Sequence, residues 1–212
     1  MAKYGRFITL EGGEGVGKST LAAALQAELV KRDIKVVLTR EPGGTVGAEA
    51  LRRMILSPPD GVHWGALTEA LLFYAARTDH LDKLIRPHVA SGGWVICDRF
   101  SDSTRAYQAA AGGALADSIE ALDRMCVGKS VPDLTLMLDL PLSEARSRMV
   151  LRDQAQDAIE RRGPDYHARV RQAFLDIAGA HADRCAVLDA SQPPDAVARD
   201  ALAVIDQRLG GA

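Results

Sequence analysis

The run Gly12-Gly13-Glu14-Gly15-Val16-Gly17-Lys18-Ser19 has the residue types and spacing of a triphosphate cradle, G-x-x-x-x-G-K-[ST]. Glycines let backbone N–H groups come close to a phosphate chain, and a helix beginning at the end of the loop adds the positive end of its dipole. Lys18 is of a length to reach β- and γ-phosphates, and the Ser19 hydroxyl can ligate the Mg²⁺ that accompanies ATP. With Thr20 as the next residue of the helix, Gly12 to Thr20 forms the expected ATP-binding segment.

Two further charged groups matter to the same chemistry. Asp98-Arg99 follows an apolar run, and Arg146, Arg148, Arg152, Arg161 and Arg162 crowd a polar stretch near the middle of the second half. Phosphoryl transfer asks mainly for positioning and charge neutralisation. An acceptor that is itself a phosphate monoester is largely dianionic at neutral pH, so it needs no general base. It needs cations that hold two anions together, and arginine forks do this well. The arginine-rich stretch, at about 146–163, is read as a lid that closes over ATP and excludes water. An arginine finger delivered this way is worth roughly 10³–10⁵ in rate.

These residues must be positioned by regular elements. Phe7 to Glu11 reads as a strand before the glycine loop. The helix after it, from Thr20 to Arg32, carries Leu21, Leu25 and Leu29 on one face. Further apolar runs at Lys35–Thr39, Trp94–Asp98, Leu134–Leu140 and Ala186–Asp189 give five strands. Helical segments are expected at Val46–Leu56, Ala66–Arg86, Ser101–Ala111, Leu115–Val127, Ser143–Leu151, Asp165–Ala182 and Pro194–Leu209. In the second of these, Leu67, Ala70, Leu71, Tyr74 and Ala75 form an apolar stripe, and Pro87 restarts or kinks the helix. Strands apolar throughout, alternating with helices, imply a single doubly wound α/β domain: a five-stranded parallel sheet with helices on both faces. Ligands bind at the carboxyl edge of such a sheet. The glycine loop, Arg40-Glu41-Pro42-Gly43, Asp98-Arg99, Asp139-Leu140-Pro141 and the loop after Asp189 all arrive there.

Composition narrows the class. The 212 residues are 47% hydrophobic and 25% charged, with a net charge of −2, so no global field favours nucleic acid or an anionic membrane. Three scattered cysteines and five histidines without metal-ligand spacing argue against a disulfide scaffold or structural zinc. The N-terminal residues have no signal-peptide apolar core, and no apolar run approaches the ~20 residues of a membrane span. A cytoplasmic enzyme is expected. The chain contains no asparagine and hence no N-K-x-D for reading guanine, which disfavours a GTPase. A small kinase fits; a nucleotide-binding regulator is the alternative from another class.

Five segments, in order, carry a resemblance: the glycine loop with Ser19-Thr20, Thr39-Arg40-Glu41-Pro42-Gly43-Gly44-Thr45, Leu72-Phe73-Tyr74-Ala75-Ala76-Arg77, Asp98-Arg99-Phe100 through Ser103-Thr104-Arg105-Ala106-Tyr107-Gln108, and Pro132-Asp133-Leu134-Thr135. Together they resemble the thymidylate kinase family, a group of P-loop nucleoside monophosphate kinases. The resemblance implies transfer of the ATP γ-phosphoryl to dTMP, with Mg²⁺, by a homodimer. It implies that Glu14 meets the deoxyribose 3′-hydroxyl, that Phe73 stacks on thymine and that Arg77 bonds the base edge. Ser103, Thr104 and Gln108 then lie near the base, and Tyr107 where a 2′-hydroxyl would be crowded. Arg99, with Arg52 nearby, grips the acceptor phosphate; Glu41 completes the acceptor side, and Asp98 helps order Mg²⁺. With Gly15 in place of a loop arginine, the chain resembles the branch that carries catalytic arginine in the lid. Where that lid commonly reads D-R-x-E, this chain has Asp157-Ala158-Ile159-Glu160. Arg148, Arg152 or the adjacent Arg161 and Arg162 must then serve. Other small-metabolite kinases of the same fold remain the nearest alternative.

Overall fold

The computed structural model describes residues 5–150 and 157–210. Five parallel strands, β1 (Arg6–Glu11), β2 (Val36–Arg40), β3 (Trp94–Asp98), β4 (Leu134–Asp139) and β5 (Cys185–Asp189), lie in the order β2-β3-β1-β4-β5. The order reverses between β3 and β4, with β1 between them, so the loop after β1 opens at the centre of the carboxyl edge. That is the crevice where a doubly wound sheet takes its ligand.

The period of two along β1 sorts the core. Ile8 and Leu10 face α1 (Lys18–Lys31) and α9 (Pro194–Leu209), meeting Leu21, Leu25, Leu29, Ala201 and Ile205. Phe7 faces the other way, toward α3 (Ala66–His80) and α6 (Ala116–Cys126), with Tyr74 and Ile119. On that same face Tyr166, Val170 and Phe174 of α8 (Pro164–Ala180) pack near Met137 and Cys185. Both faces are therefore covered, as the uniformly apolar strands require. α2 (Val46–Leu56) lies against α3, and α7 (Leu142–Val150) follows β4.

Two expected helices are more irregular than their periodicity suggests. After α3 the chain widens into a π turn, Leu81–Ile85, before the short α4 (Arg86–Ala90). Pro87 has no N–H to offer, and the ladder adapts just before it, with the Arg86 N–H donating to Leu81 O. The segment after β3 begins as α5 (Ser101–Thr104) and continues as a second π turn, Arg105–Ala110, which carries Tyr107 and Gln108. The stripe of α3 also splits. Ala70 and Tyr74 are buried, but Leu67, Leu71 and Ala75 are exposed. Its outer half does not belong to this chain's core. Among the described residues no helix is long and apolar enough to cross a membrane.

Candidate active site

The turn from β1 into α1 needs backbone that only glycine adopts readily. Gly12, Gly15 and Gly17 have φ of 135°, 73° and 100°. At Gly15 a Cβ would lie 2.6 Å from the Ala145 carbonyl oxygen of α7, so the loop and α7 meet with no room between them. Gly15→Ala should therefore weaken both folding and ATP binding. The left-handed backbone alone costs about 1–2 kcal/mol, and thermal unfolding with and without ATP reads both effects. Lys18 is buried and folds back on the loop, its Nζ 2.8 Å from Gly13 O and 3.3 Å from Gly12 O. Burial, and then the charge of Arg99, push its pKa down despite nearby Asp98 and Glu14. An incoming phosphate supplies the counter-charge that those carbonyls lack. Val16 is buried beneath the loop, and Thr20 is exposed on the first turn of α1.

β3 ends at Asp98 beside Ser19, whose hydroxyl donates to Asp98 Oδ2 at 3.3 Å. The other oxygen, Asp98 Oδ1, is buried with no hydrogen-bond partner among the described residues. A carboxylate oxygen left bare next to a hydroxyl is a fitting pair of donors for a hard cation.

Arg99 takes φ 71°, rare for a residue with a side chain, and is held there by its N–H to Leu10 O at 2.9 Å. That backbone aims the guanidinium across the mouth of the loop. It donates to Gly12 O (2.9 Å), Ser103 Oγ (3.1 Å) and Glu14 Oε1 (2.6 Å), and lies 5.0 Å from the Tyr107 ring centroid. Tyr107 also donates its hydroxyl to Glu14 Oε1, at 3.1 Å. Burial works to raise the Glu14 pKa, but Arg99 and then Lys18 outweigh it and hold the carboxyl below its ordinary value. Glu14 is thus an ionised acceptor between the glycine loop and the next cavity.

That cavity, of about 250 Å³, is lined by Glu14, Arg99, Arg52, Phe73, Arg77 and Gln108 among others, with Glu41, Ser103, Thr104 and Tyr107 also at its wall. Arg77 is fully buried, with Nε on Glu41 Oε2 (2.8 Å) and Nη2 on Thr104 Oγ1 (3.1 Å). Its Nη1 has no partner among the described residues. A buried, unmet guanidinium N–H is costly unless a ligand accepts it. Arg52 donates to Pro42 O at 2.8 Å. All the acceptor-side residues expected from the sequence therefore converge.

The described arginines of the polar stretch occupy different places. Arg146, Arg161 and Arg162 line a second, larger hollow of about 790 Å³ on the far flank of Gly12–Glu14, between α7 and α8. Arg148 lines neither cavity and donates to Ala190 O at 3.0 Å. Arg152 lies outside the described residues.

Several supporting residues are not evident in the sequence. Glu11 is fully buried at the end of β1. It accepts from Phe100 N (2.8 Å), Ser103 N (3.3 Å) and Ser103 Oγ (2.6 Å), and so holds the turn that presents Arg99. Glu41 is anchored from behind by His80 Nδ1 at 3.1 Å, whose Nε2 meets Thr39 Oγ1 at 2.7 Å. Arg105, also paired with Asp102 one turn before it, ties the helix after Arg99 to α6 through Glu120 and Asp123.

Burial, and then the charge of Asp102, raise the Glu11 carboxyl from 4.5 to about 7. Between those values the folded chain holds a proton that the unfolded chain has lost, so this group's contribution to stability falls as pH rises through that window. Glu11→Gln removes the titration while keeping the shape. The stability of wild type relative to this variant should decline from pH 5 to pH 8 in denaturant melts, and a constant difference would contradict the assignment.

With this geometry in place, comparison with known proteins is decisive. A sequence model of the family described as thymidylate kinase matches residues 10–201. The chain belongs to the thymidylate kinase family. A thymidylate kinase of Caulobacter vibrioides is 47% identical over 206 residues, covering 97% of this chain and 98% of that protein. One from Rhodopseudomonas palustris strain TIE-1 is 45% identical over 196 residues, covering 92% of this chain and 85% of its own length. Among solved structures, the thymidylate kinase of Ehrlichia chaffeensis superposes with a TM-score of 0.75 at 31% identity, covering 95% of this chain and 99% of its own. Membership in the thymidylate kinase family makes the chain a phosphotransferase with the P-loop nucleoside monophosphate kinase fold.

Proposed function

We propose that the protein catalyses ATP + dTMP → ADP + dTDP by direct in-line transfer, without a covalent enzyme intermediate. An oxygen of the dTMP phosphate forms a bond to the γ-phosphorus as the bond to the β–γ bridging oxygen breaks, and that oxygen leaves with ADP. The observation that carries this reading is the two-ended cavity. The Arg99 guanidinium stands at the glycine-loop end, and the unmet Arg77 N–H stands among Phe73, Thr104 and Gln108.

Each group has a physical role. The glycine-loop N–H groups and Lys18 hold the ATP phosphates, and Arg99 with Arg52 neutralises the acceptor phosphate. Glu14 accepts from the deoxyribose 3′-hydroxyl, so the loop touches both substrates. Tyr107, pinned by Glu14, leaves no room beside the 2′ carbon. Phe73 stacks on the base, and Glu41 fixes Arg77 against its edge. Ser19 and Asp98 are suited to hold Mg²⁺, which when bound offsets phosphate charge. Arg148 and Arg152 are the arginines assigned to bring further positive charge from a lid at about 146–163, and Arg148 must leave Ala190 O to do so. The same reading makes the enzyme a cytoplasmic one.

Steady-state assays with Mg-ATP and dTMP, dUMP, dCMP, AMP or shikimate test the substrate. Turnover highest with dTMP is expected; any other acceptor turned over well above it would end the thymine assignment. One methyl group separates dTMP from dUMP by only about 1–3 kcal/mol.

The same reading includes a homodimer. Leu67 and Leu71 on α3 are each 48% exposed, and Met54 on the adjoining α2 is 44% exposed. Such an apolar patch on paired helices suits a second copy of the chain. Leu71→Glu should shift the species from dimer to monomer in sedimentation velocity; an unchanged sedimentation coefficient would reject this face.

A further inference from the structure

Glu69 lies on the first turn of α3 and is buried, 4% exposed, at the back of the base end of the cavity. Its two oxygens have separate duties. Oε2 accepts from Gln108 Nε2 at 2.7 Å, and Oε1 accepts from Arg162 Nη2 at 2.6 Å. Arg162 is held in turn by its Nη1 on the Tyr166 hydroxyl (2.6 Å), and that hydroxyl donates to Tyr107 O (2.8 Å).

An ionised carboxylate can only accept, whereas a glutamine amide has one accepting end and one donating end. Facing Glu69, Gln108 must present its NH₂ group. Its carbonyl oxygen, Oε1, then has no partner among the described residues, and Gln108 lines the cavity. Arg77 lines the same cavity, donates to Thr104, four residues before Gln108 on the same helical segment, and has an unmet donor of its own. The wall therefore offers an acceptor next to a donor. A pyrimidine imide presents the complement, an N3–H donor next to a carbonyl. Cytosine presents the reverse on both counts, an acceptor N3 next to an amino group.

We propose that Glu69 is the positioning residue that sets the polarity of Gln108 and thereby makes the site select thymine over cytosine. This rests on the dTMP kinase reading of the cavity. Glu69 acts through Gln108 and has no contact with the substrate.

Arg162 makes the polarity argument sharper. In Glu69→Gln, the new amide has a single oxygen, and Arg162 claims it. The new NH₂ group must then face Gln108, which turns over to offer its oxygen and exposes its own NH₂ to the base. The wall becomes a better match for the N3 acceptor of cytosine. In Arg162→Met the carboxylate remains, and so does the orientation of Gln108.

The test is the ratio of kcat/KM for dTMP to that for dCMP, with Mg-ATP. A general packing defect lowers both values and leaves the ratio in place. We expect Glu69→Gln to lower the ratio by about tenfold or more, the scale of one misplaced hydrogen bond, with Arg162→Met retaining the wild-type ratio. A ratio in Glu69→Gln within about twofold of wild type, or an equal fall in Arg162→Met, would overturn the proposal. In Glu69→Gln/Arg162→Met nothing claims the new amide's oxygen, which is free to accept from Gln108 Nε2, so the double variant should return toward the wild-type ratio; a ratio as low as that of Glu69→Gln would overturn the proposal. Direct titration of the wild type gives an independent reading. dCMP should bind about tenfold or more weakly than dTMP, and equal affinities would show that the Gln108 oxygen does not face the base. If the wild type turns over no dTMP at all, the kinase reading itself fails, an outcome distinct from an active enzyme whose ratio ignores Glu69.

Discussion

Arg99→Ala lowers kcat/KM for dTMP by about 10²–10³-fold, the scale set by removal of one preorganised donor to a developing anion, and it damages kcat and KM together. Two losses combine. The acceptor phosphate loses its guanidinium, and Glu14 loses the 2.6 Å contact that fixes it between loop and cavity. Burial opposes the Arg99 charge, but Glu14, Tyr107 and Asp98 more than compensate, so its pKa is held above the ordinary arginine value. The site keeps this cation at every accessible pH. Arg99→Lys does not restore activity, because one ammonium cannot reach Gly12 O, Ser103 Oγ and Glu14 Oε1 from a planar fork. Steady-state kinetics with saturating ATP decides it; an unchanged kcat/KM in Arg99→Ala would remove Arg99 from the acceptor phosphate.

Lys18→Ala lowers kcat by a similar factor, about 10²–10³, while leaving dTMP affinity nearly unchanged. The Nζ is held within the glycine loop, against Gly12 O and Gly13 O, and has no hydrogen bond to a side chain of the acceptor cavity among the described residues. Among the described residues this buried ammonium forms no ion pair with a carboxylate, so truncation strands no close partner, and the variant should fold. Single-turnover rates and calorimetric titration with dTMP separate the two effects. A kcat close to wild type, or lost dTMP binding, would contradict the division of the loop between donor and acceptor.

The frame of this site is readable in the sequence because its signals are local. The glycine spacing, the apolar strand before it and the leucines of α1 occupy one stretch, and the five strands stand where uninterrupted apolar runs occur. The positive φ values at Gly12, Gly15 and Gly17 follow from residue type. What escapes is set by contacts distant in sequence. Glu11 meets Ser103 across 92 residues, and Glu69 meets Arg162 across 93. Neither stands out in composition, since a buried carboxylate and a surface one are the same letter. Arg162 reads as one more cation of a polar stretch, yet the structure commits it to Glu69 at the base end. The two π turns also escape, since their periodicity differs from a helix by less than one residue per turn. The stripe of α3 shows the converse: its period is right, but only half of it faces the core.

The most direct test is a crystal structure with dTMP and a non-hydrolysable ATP analogue bound together with Mg²⁺. The account predicts one nucleotide spanning the 250 Å³ cavity. Its pyrimidine should lie on Phe73 with a carbonyl on Arg77 Nη1, and its phosphate on Arg99. The analogue's triphosphate should lie in the Gly12–Ser19 loop, with the metal at Ser19 and Asp98. dTMP found outside that cavity, or lying in it with its phosphate away from Arg99, would contradict the account.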